Sequence, residues 1–345
     1  MNSSRAHPGA SEAAKRLGVS TKALRLYEQR GLVAPERTAA GYRVYGPDAM
    51  ARAAEVVTLR KLGLSLAQVA QAFEGDPKSL EPALALHETA LEAEVRELIN
   101  TIDKVRTLRA DLARGKAPGQ GELARLLNPY AKFSVGFELP WPWGGEWFEV
   151  AGIRPLNYII GPLGSGKTRL ALLLADRLTN AIFMGLDRLE HAGKASKTLL
   201  QADAALKQRV DRALAWLVDE GAAASEALTA LLVGLEAEGP GVFVVDMVEQ
   251  GLDQATQEAL ITYLRQRAKV GARPLFLMTR SSSILDLAAV GPEETIILCP
   301  ANHSPPIRVA SYPGAPGYEA VMTCLASPEV RARTAGMIAS IPKTA

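Results

Sequence analysis

Apolar residues in the first 75 positions recur at helical spacing and predict four short helices. The first runs from Ser11, a candidate N-cap, to Leu17. Gly18 then lets the chain reverse, because glycine reaches the left-handed region without steric cost. Ser20 or Thr21 caps the second helix, Lys22 to Arg30, on which Ala23, Leu24 and Tyr27 recur at helical spacing. Leu24 faces a core, while Lys22, Arg25 and Glu28 lie towards another face. Gly31 and Pro35 end that helix. The stretch GYRVY, Gly41 to Tyr45, alternates like a short strand and makes a wing. Pro47 and Asp48 open a third helix through Leu62, and Ser65 caps a fourth, Leu66 to Phe73. Such a winged helix-turn-helix places its second helix, here cationic, in a major groove.

From Ser79 to Arg114 the chain lacks glycine, and its one proline, Pro82, sits in the first turn, where it is tolerated. Leu84, Leu91, Leu98, Val105 and Leu112 recur every seven residues, with Val95 and Ile102 completing the seam. That is a coiled-coil pattern over about 50 Å of helix. A Gly/Pro-rich linker, RGKAPGQGE, follows. The pattern then changes character: LNYII (156–160), GVFVV (241–245), PLFLM (274–278) and ETIILCP (294–300) are continuous apolar runs, as parallel strands covered on both faces require. The chain is therefore expected to be multidomain. It comprises an all-α winged helix-turn-helix (1–75), a coiled-coil dimerisation helix (76–114), a linker (115–129) and an α/β phosphate-loop domain (130–345).

Composition narrows the classes. Of 345 residues 48% are hydrophobic and 22% charged, ordinary values for a folded protein. No apolar run reaches the roughly 20 residues that span a bilayer, and the two cysteines, Cys299 and Cys324, cannot form a disulfide framework. A soluble, cytoplasmic protein without a membrane partner is the expectation. The formal net charge of +2 conceals an asymmetry: residues 1–61 hold eleven Lys/Arg against five Asp/Glu. A compact basic module of this kind suits an anionic partner such as DNA.

The segments SEAAKRLGVS, TKALRLYEQRGL, GYRVY and LRKLGLSLAQV resemble the DNA-binding domain of the MerR family of transcriptional regulators, over about a fifth of the chain. The resemblance implies that Lys22, Arg25 and Tyr27 lie on the recognition helix, and that Arg37, Arg43 and Tyr45 lie on a phosphate-gripping wing. Packing in the core would also account for either tyrosine. Leu26 and Ala40 depart from the family's frequent aromatic and asparagine. The resemblance further implies a homodimer through residues 79–114, a palindromic double-stranded operator and RNA polymerase as a further partner.

In the second half, a strand, GPLGSGKT and a helix form a complete phosphate-binding loop. Gly161, Gly164 and Gly166, with Pro162, Leu163 and Ser165 between them, let main-chain N–H groups curl around an anion at a helix start. Lys167 reaches the outer phosphates, Thr168 offers its hydroxyl to Mg²⁺, and Arg169 begins the helix. Asp246 ends the GVFVV strand and is the second candidate ligand of Mg²⁺. GPLGSGKT, VVDMVEQGLD and LMTRSSSIL together resemble an ABC-type ATPase core of the chromosome-maintenance kind.

Three departures qualify what that resemblance implies. Met247 stands where the family's water-polarising glutamate follows the metal aspartate, and a thioether accepts no proton. Arg280 stands where a phosphate-sensing histidine is usual, and AAASE (222–226) lacks the signature glycine. The spacing from phosphate loop to Asp246 leaves little room for a full helical subdomain. Glu249 is a substitute base only if it points at the site. Three readings follow: a regulator with ATP or ADP and Mg²⁺ as effector and little hydrolysis, a DNA-targeted active ATPase, or a scaffold with a structural nucleotide. The aromatic stretch FELPWPWGGEWF (137–148) either stacks on adenine or packs a core.

Overall fold

The computed structural model describes residues 7–38, 40–75, 81–116, 134–269 and 273–330. The expected linker from residue 117 onward and the C-terminal tail from 331 lie outside the described residues. The chain packs as two units, Met1–Glu92 and Ala93–Ala345, and one long helix runs through the division.

In the first unit, α1 (Ala10–Leu17), α2 (Thr21–Gln29), β1 (Glu36–Arg37), β2 (Arg43–Val44), α3 (Pro47–Lys61) and α4 (Leu66–Phe73) follow in order. The caps account for most of these boundaries. Gly18 closes α1 in the left-handed region at φ 68°, and Ser20 Oγ accepts from Ala23 N at 3.1 Å. Ser65 and Gln68 exchange both hydrogen bonds of a capping box at the start of α4. Ser11 does not cap α1. The helix begins earlier, with Gly9 as its N-cap and no side-chain bond to the first turn. Ala13, Ala14, Leu24, Tyr27, Tyr45, Val56, Leu64 and Val69 close the core. The small Ala13 and Ala14 let α1 approach α2 and α3 closely.

The long helix α5 spans Glu81–Ala113. Leu84, Leu91, Val95, Leu98, Ile99, Ile102, Val105 and Leu112 on it are all exposed, Leu98 at 57%. Among the described residues, none covers this seam.

The second unit begins with a hairpin, β3 (Val135–Glu138) and β4 (Trp147–Val150), paired Phe137 to Phe148. Then come β5 (Leu156–Ile160), α6 (Lys167–Arg177) and β6 (Ala181–Met184). A 3-10 segment (Leu186–Gly193) leads to α7 (Lys194–Ala202), α8 (Ala204–Asp219) and α9 (Glu226–Glu236). The unit closes with β7 (Val242–Val245), α10 (Gln254–Lys269), β8 (Leu275–Met278), β9 (Glu294–Leu298), β10 (Ile307–Val309) and α11 (Tyr318–Cys324).

Six strands form one sheet in the order β10-β9-β5-β8-β7-β6, parallel except for β10. Alternate residues of each buried strand serve opposite cores. Tyr158, Ile160, Phe243 and Val245 pack under α8, α9 and α10, while Ile159, Val242, Val244 and Met278 pack against α6 and the hairpin. The expected shortage of room between the phosphate loop and Asp246 is corrected here. Three α-helices fill the crossover from β6 to β7, and Ser225 of the AAASE stretch is the N-cap of α9. The short runs β6 and β10 are further strands that the apolar pattern alone did not single out.

Candidate functional site

Two constellations carry chemistry. In the first unit, Lys22 and Arg25 are exposed on α2. The wing pairs Arg37 with Arg43 across β1 and β2, and Tyr42 at its turn is 74% exposed. Glu28 of α2 reaches across to both wing arginines, 2.6 Å from Arg43 Nε and 4.0 Å from Arg37 Nη2. The sequence reading missed this tie, although a lone acid on a basic helix beside a basic wing was the available signal. Tyr27 is placed in the core rather than on the surface, so packing accounts for its ring. The ring of Tyr45 is also fully buried, and its hydroxyl, without an acceptor among the described residues, lies within electrostatic reach of Glu28, Arg43 and Arg25. Its pKa is raised by burial first and by Glu28 second. With the hydroxyl enclosed, packing accounts for the Tyr45 ring as it does for that of Tyr27.

In the second unit, β5 delivers the loop Gly161–Gly166 to the start of α6. Gly164 and Gly166 adopt φ 78° and 89°, conformations that disfavour any side chain, and Gly166 caps α6 with no side-chain acceptor for its first N–H groups. Gly161 has no room for a Cβ, which would fall 2.4 Å from the Cys299 carbonyl. Ser165 is buried and its Oγ has no hydrogen-bond partner among the described residues. Pro162 is half-buried, and Leu163, Thr168 and Arg169 are exposed at the loop's crest and on the helix. His303, after β9, holds the loop from the side through its Nε2, 3.0 Å from Gly164 O. Main-chain N–H groups of such a loop at a helix start suit an anion.

Lys167 Nζ donates to Gly161 O at 2.7 Å and to Pro162 O at 2.6 Å. Burial lowers its pKa, and the Arg280 charge pushes the same way. Strand β8 lies between the loop strand β5 and the Asp246 strand β7, so Arg280 leaves the sheet between the phosphate loop and Asp246. Arg280 is half-buried, and its guanidinium makes no hydrogen bond or ion pair among the described residues. Its main chain is pinned on both sides: Glu249 Oε1 accepts from Arg280 N at 3.0 Å, and Ala326 N donates to Arg280 O at 2.9 Å. Glu249 is buried and turned into this bond.

Asp246, half-buried, has its pKa raised by burial, with Arg188 the largest opposing influence. Met247 follows at φ 43°, a left-handed non-glycine conformation that costs about 1–3 kcal/mol. The surrounding bonds over-determine it. Gln250 N donates to Met247 O at 2.9 Å, as does Arg188 Nη2 at 2.8 Å. Arg188 was not singled out from the sequence, because two of its main-chain acceptors, Asp246 O and Met247 O, lie 58 and 59 residues away.

The aromatic stretch divides between its two expected roles. Phe137, Leu139, Trp143 and Phe148 pack the core, with the Trp143 indole against Gly166, whereas Trp141 and Trp147 are exposed. Among the described residues no group of three or more His, Cys, Asp or Glu is placed to hold a metal. A hydroxyl on α6 and a carboxylate ending β7 are, however, the hard oxygen donors that Mg²⁺ takes beside phosphate. No described helix is long and apolar enough to cross a membrane.

The pattern of the MerR HTH family regulatory proteins matches residues 10–76. Similar proteins include a "Probable heavy metal-dependent transcriptional regulator" of Haemophilus influenzae, 36% identical over 102 residues, 28% of this chain and 80% of that protein. The nodulation protein NolA of Bradyrhizobium diazoefficiens is 35% identical over 101 residues, 29% of this chain but only 42% of that protein. Among solved structures, the ADP conformation of MJ1267, an ATP-binding cassette of an ABC transporter, is 13% identical at a TM-score of 0.37, covering 59% of this chain and 98% of that one. The α/β unit is defined here by its own strand order and phosphate loop. The chain belongs to the MerR HTH family; the family pattern covers residues 10–76, and the two relatives named match 28% and 29% of the chain.

Proposed function

We propose that this chain is a dimeric, DNA-binding transcriptional regulator whose C-terminal domain binds ATP or ADP with Mg²⁺ as effector or gate and hydrolyses it slowly or not at all. One observation carries the nucleotide half of this reading. The uncapped start of α6 and the Lys167 ammonium lie beside Arg280, a half-buried guanidinium with no counter-charge among the described residues. Cationic and main-chain donors gathered in this way, with only Lys167 bonded and that to loop carbonyls, suit a polyphosphate. Mg²⁺ on Thr168 and Asp246 would supply further neutralisation of the phosphates. The reading of slow turnover rests on Met247, which cannot take a proton, and on Glu249, whose Oε1 is committed to the main chain of Arg280.

The DNA half rests on the basic face of α2 and the wing, and the dimer on the uncovered seam of α5. Two-fold symmetry would pair the two wings with a palindromic promoter site, with RNA polymerase as the further partner. The nucleotide acts only if it binds one DNA-bound shape more tightly, with couplings typically of about 1–3 kcal/mol. The test is an operator titration with ATP, ADP and no nucleotide, on the natural chain and on Lys167→Ala. A nucleotide-dependent shift in the natural chain alone supports the reading. Identical affinity in all arms refutes the gating, and DNA-stimulated turnover near 1 s⁻¹ would instead mark an active ATPase.

A further inference from the structure

The carboxyl ends of β6 and β7 bring four main-chain oxygens together, those of Met184, Gly185, Asp246 and Met247, beside the Asp246 carboxylate. An oxygen-lined corner of this kind at the phosphate-loop edge of a parallel sheet is where a cation belongs. In this chain a side chain occupies it. Arg188 Nη1 donates to Gly185 O at 2.7 Å and to Asp246 O at 2.9 Å, with a longer contact to Met184 O at 3.4 Å. Its Nη2 donates to Met247 O at 2.8 Å.

Charge around the phosphate loop is accordingly supplied by the protein. Lys167 and Arg280 act on each other beside the loop, and the Arg188 guanidinium stands among three carboxylates, Asp246, Asp187 and Glu249, so that three cations balance three carboxylates before any metal binds. Elsewhere a divalent ion does two jobs at such a site: it offsets the phosphate charge, and it separates that charge from the acidic residue at the strand end. Beside Arg188 the second job is already done, since the fixed guanidinium offsets the Asp246 carboxylate. The same cation weakens the pull of Asp246 on a metal.

We propose that Arg188 takes over part of the role of the divalent cation beside Asp246, so that this site holds a nucleoside triphosphate with little dependence on Mg²⁺. The proposal rests on the nucleotide reading above and goes beyond it in naming what balances the ligand's charge. It does not exclude Mg²⁺ from Thr168 and Asp246; it makes the metal dispensable for affinity.

The experiment is calorimetric titration of ATP into the full chain, once with Mg²⁺ and once with EDTA, for the natural sequence, Arg188→Gln and Arg188→Lys. The readout is the ratio of the two dissociation constants. The natural chain should show a ratio below about three, and Arg188→Gln a ratio above about ten, because Asp246 then repels the metal-free triphosphate. Arg188→Lys keeps the charge without the fork and should fall between them. Arg188→Gln removes bonds to four carbonyls and can fail to fold, in which case the natural ratio and that of the Lys variant decide. A natural chain that loses ten-fold or more of its ATP affinity in EDTA overturns the proposal. No ATP binding in either buffer refutes the nucleotide reading itself, a different and separable outcome.

Discussion

The two units place their polar chemistry in opposite ways. On α2 and the wing, the cations are surface side chains held by another side chain, Glu28, and the apolar seam of α5, the helix that runs through the division, is likewise turned outward. Around the phosphate loop, Lys167 and Arg188 are held by main-chain carbonyls, and Asp246 is half-enclosed among them. A cation paired with a carboxylate can exchange it for another anion at little cost. One seated among strand-end carbonyls is part of the fold. Substitutions on the first kind of surface should change binding and spare folding, and those at the second should change both.

The largest expected effect is on the α5 seam. Leu98→Lys places a charge where two copies would meet, and both copies carry it. The dimer dissociation constant should rise by about a thousand-fold, from roughly 4 kcal/mol lost across the pair. Analytical ultracentrifugation reads this directly, and circular dichroism should show a folded monomer. A variant that stays dimeric means that the seam is not the interface. Loss of helical signal would break the contrast, because the outward surface would then be one the fold needs.

Lys167→Ala comes next. It removes the ammonium from the cradle and should weaken ATP binding by roughly a hundred-fold, the scale of a charge-assisted contact of about 2–3 kcal/mol. DNA affinity without nucleotide should stay within about two-fold, since the two units carry separate chemistry. ATP affinity that survives the substitution would leave the phosphate loop without a ligand role.

How much of this was legible depended on how local each feature is. The helices of the first unit could be read from apolar spacing and from Ser20 and Ser65, because a cap bonds within three residues of itself. Ser11 misled because a glycine can open a helix equally well. The phosphate loop was legible since one contiguous stretch shapes the whole cradle. The strand β6 was not, because four apolar residues, AIFM, fit a helix or a strand alike. The reach of Glu28 from α2 to Arg43 and of Arg188 to the Asp246 carbonyl could not be read from spacing, as these partners are 15 and 58 residues distant and come together only once the chain is folded.

Glu28→Gln probes the outward pairing. Arg43 and Arg37 lose their shared counter-charge, so both become available to DNA phosphates. Non-specific DNA affinity at low salt should rise by about two- to five-fold. The slope of log K against log salt should steepen by about one to two, as each newly engaged cation releases one counterion. A fall in affinity would mean instead that Glu28 is needed to hold the wing in its binding shape.

The smallest effect distinguishes burial from pairing at Asp246. Its folded-state pKa is raised, burial being the leading cause and Arg188 the main opposing one. A raised pKa means that the folded unit favours the protonated carboxyl. That contribution is present below the unfolded value near 4 and is lost as pH rises through the folded one. At pH 7 the ionised carboxylate is therefore a small liability to stability, and Asp246→Asn should raise the melting temperature by about 1–3 °C. The gain should vanish as the pH is lowered towards 4. In an Arg188→Gln background the same change should give a larger gain, because Asp246 there keeps its burial and loses its compensating charge. A melting temperature that falls with Asp246→Asn at pH 7 would show that attraction to Arg188 outweighs burial, and that the enclosed cations stabilise this corner as strongly as Glu28 ties the wing.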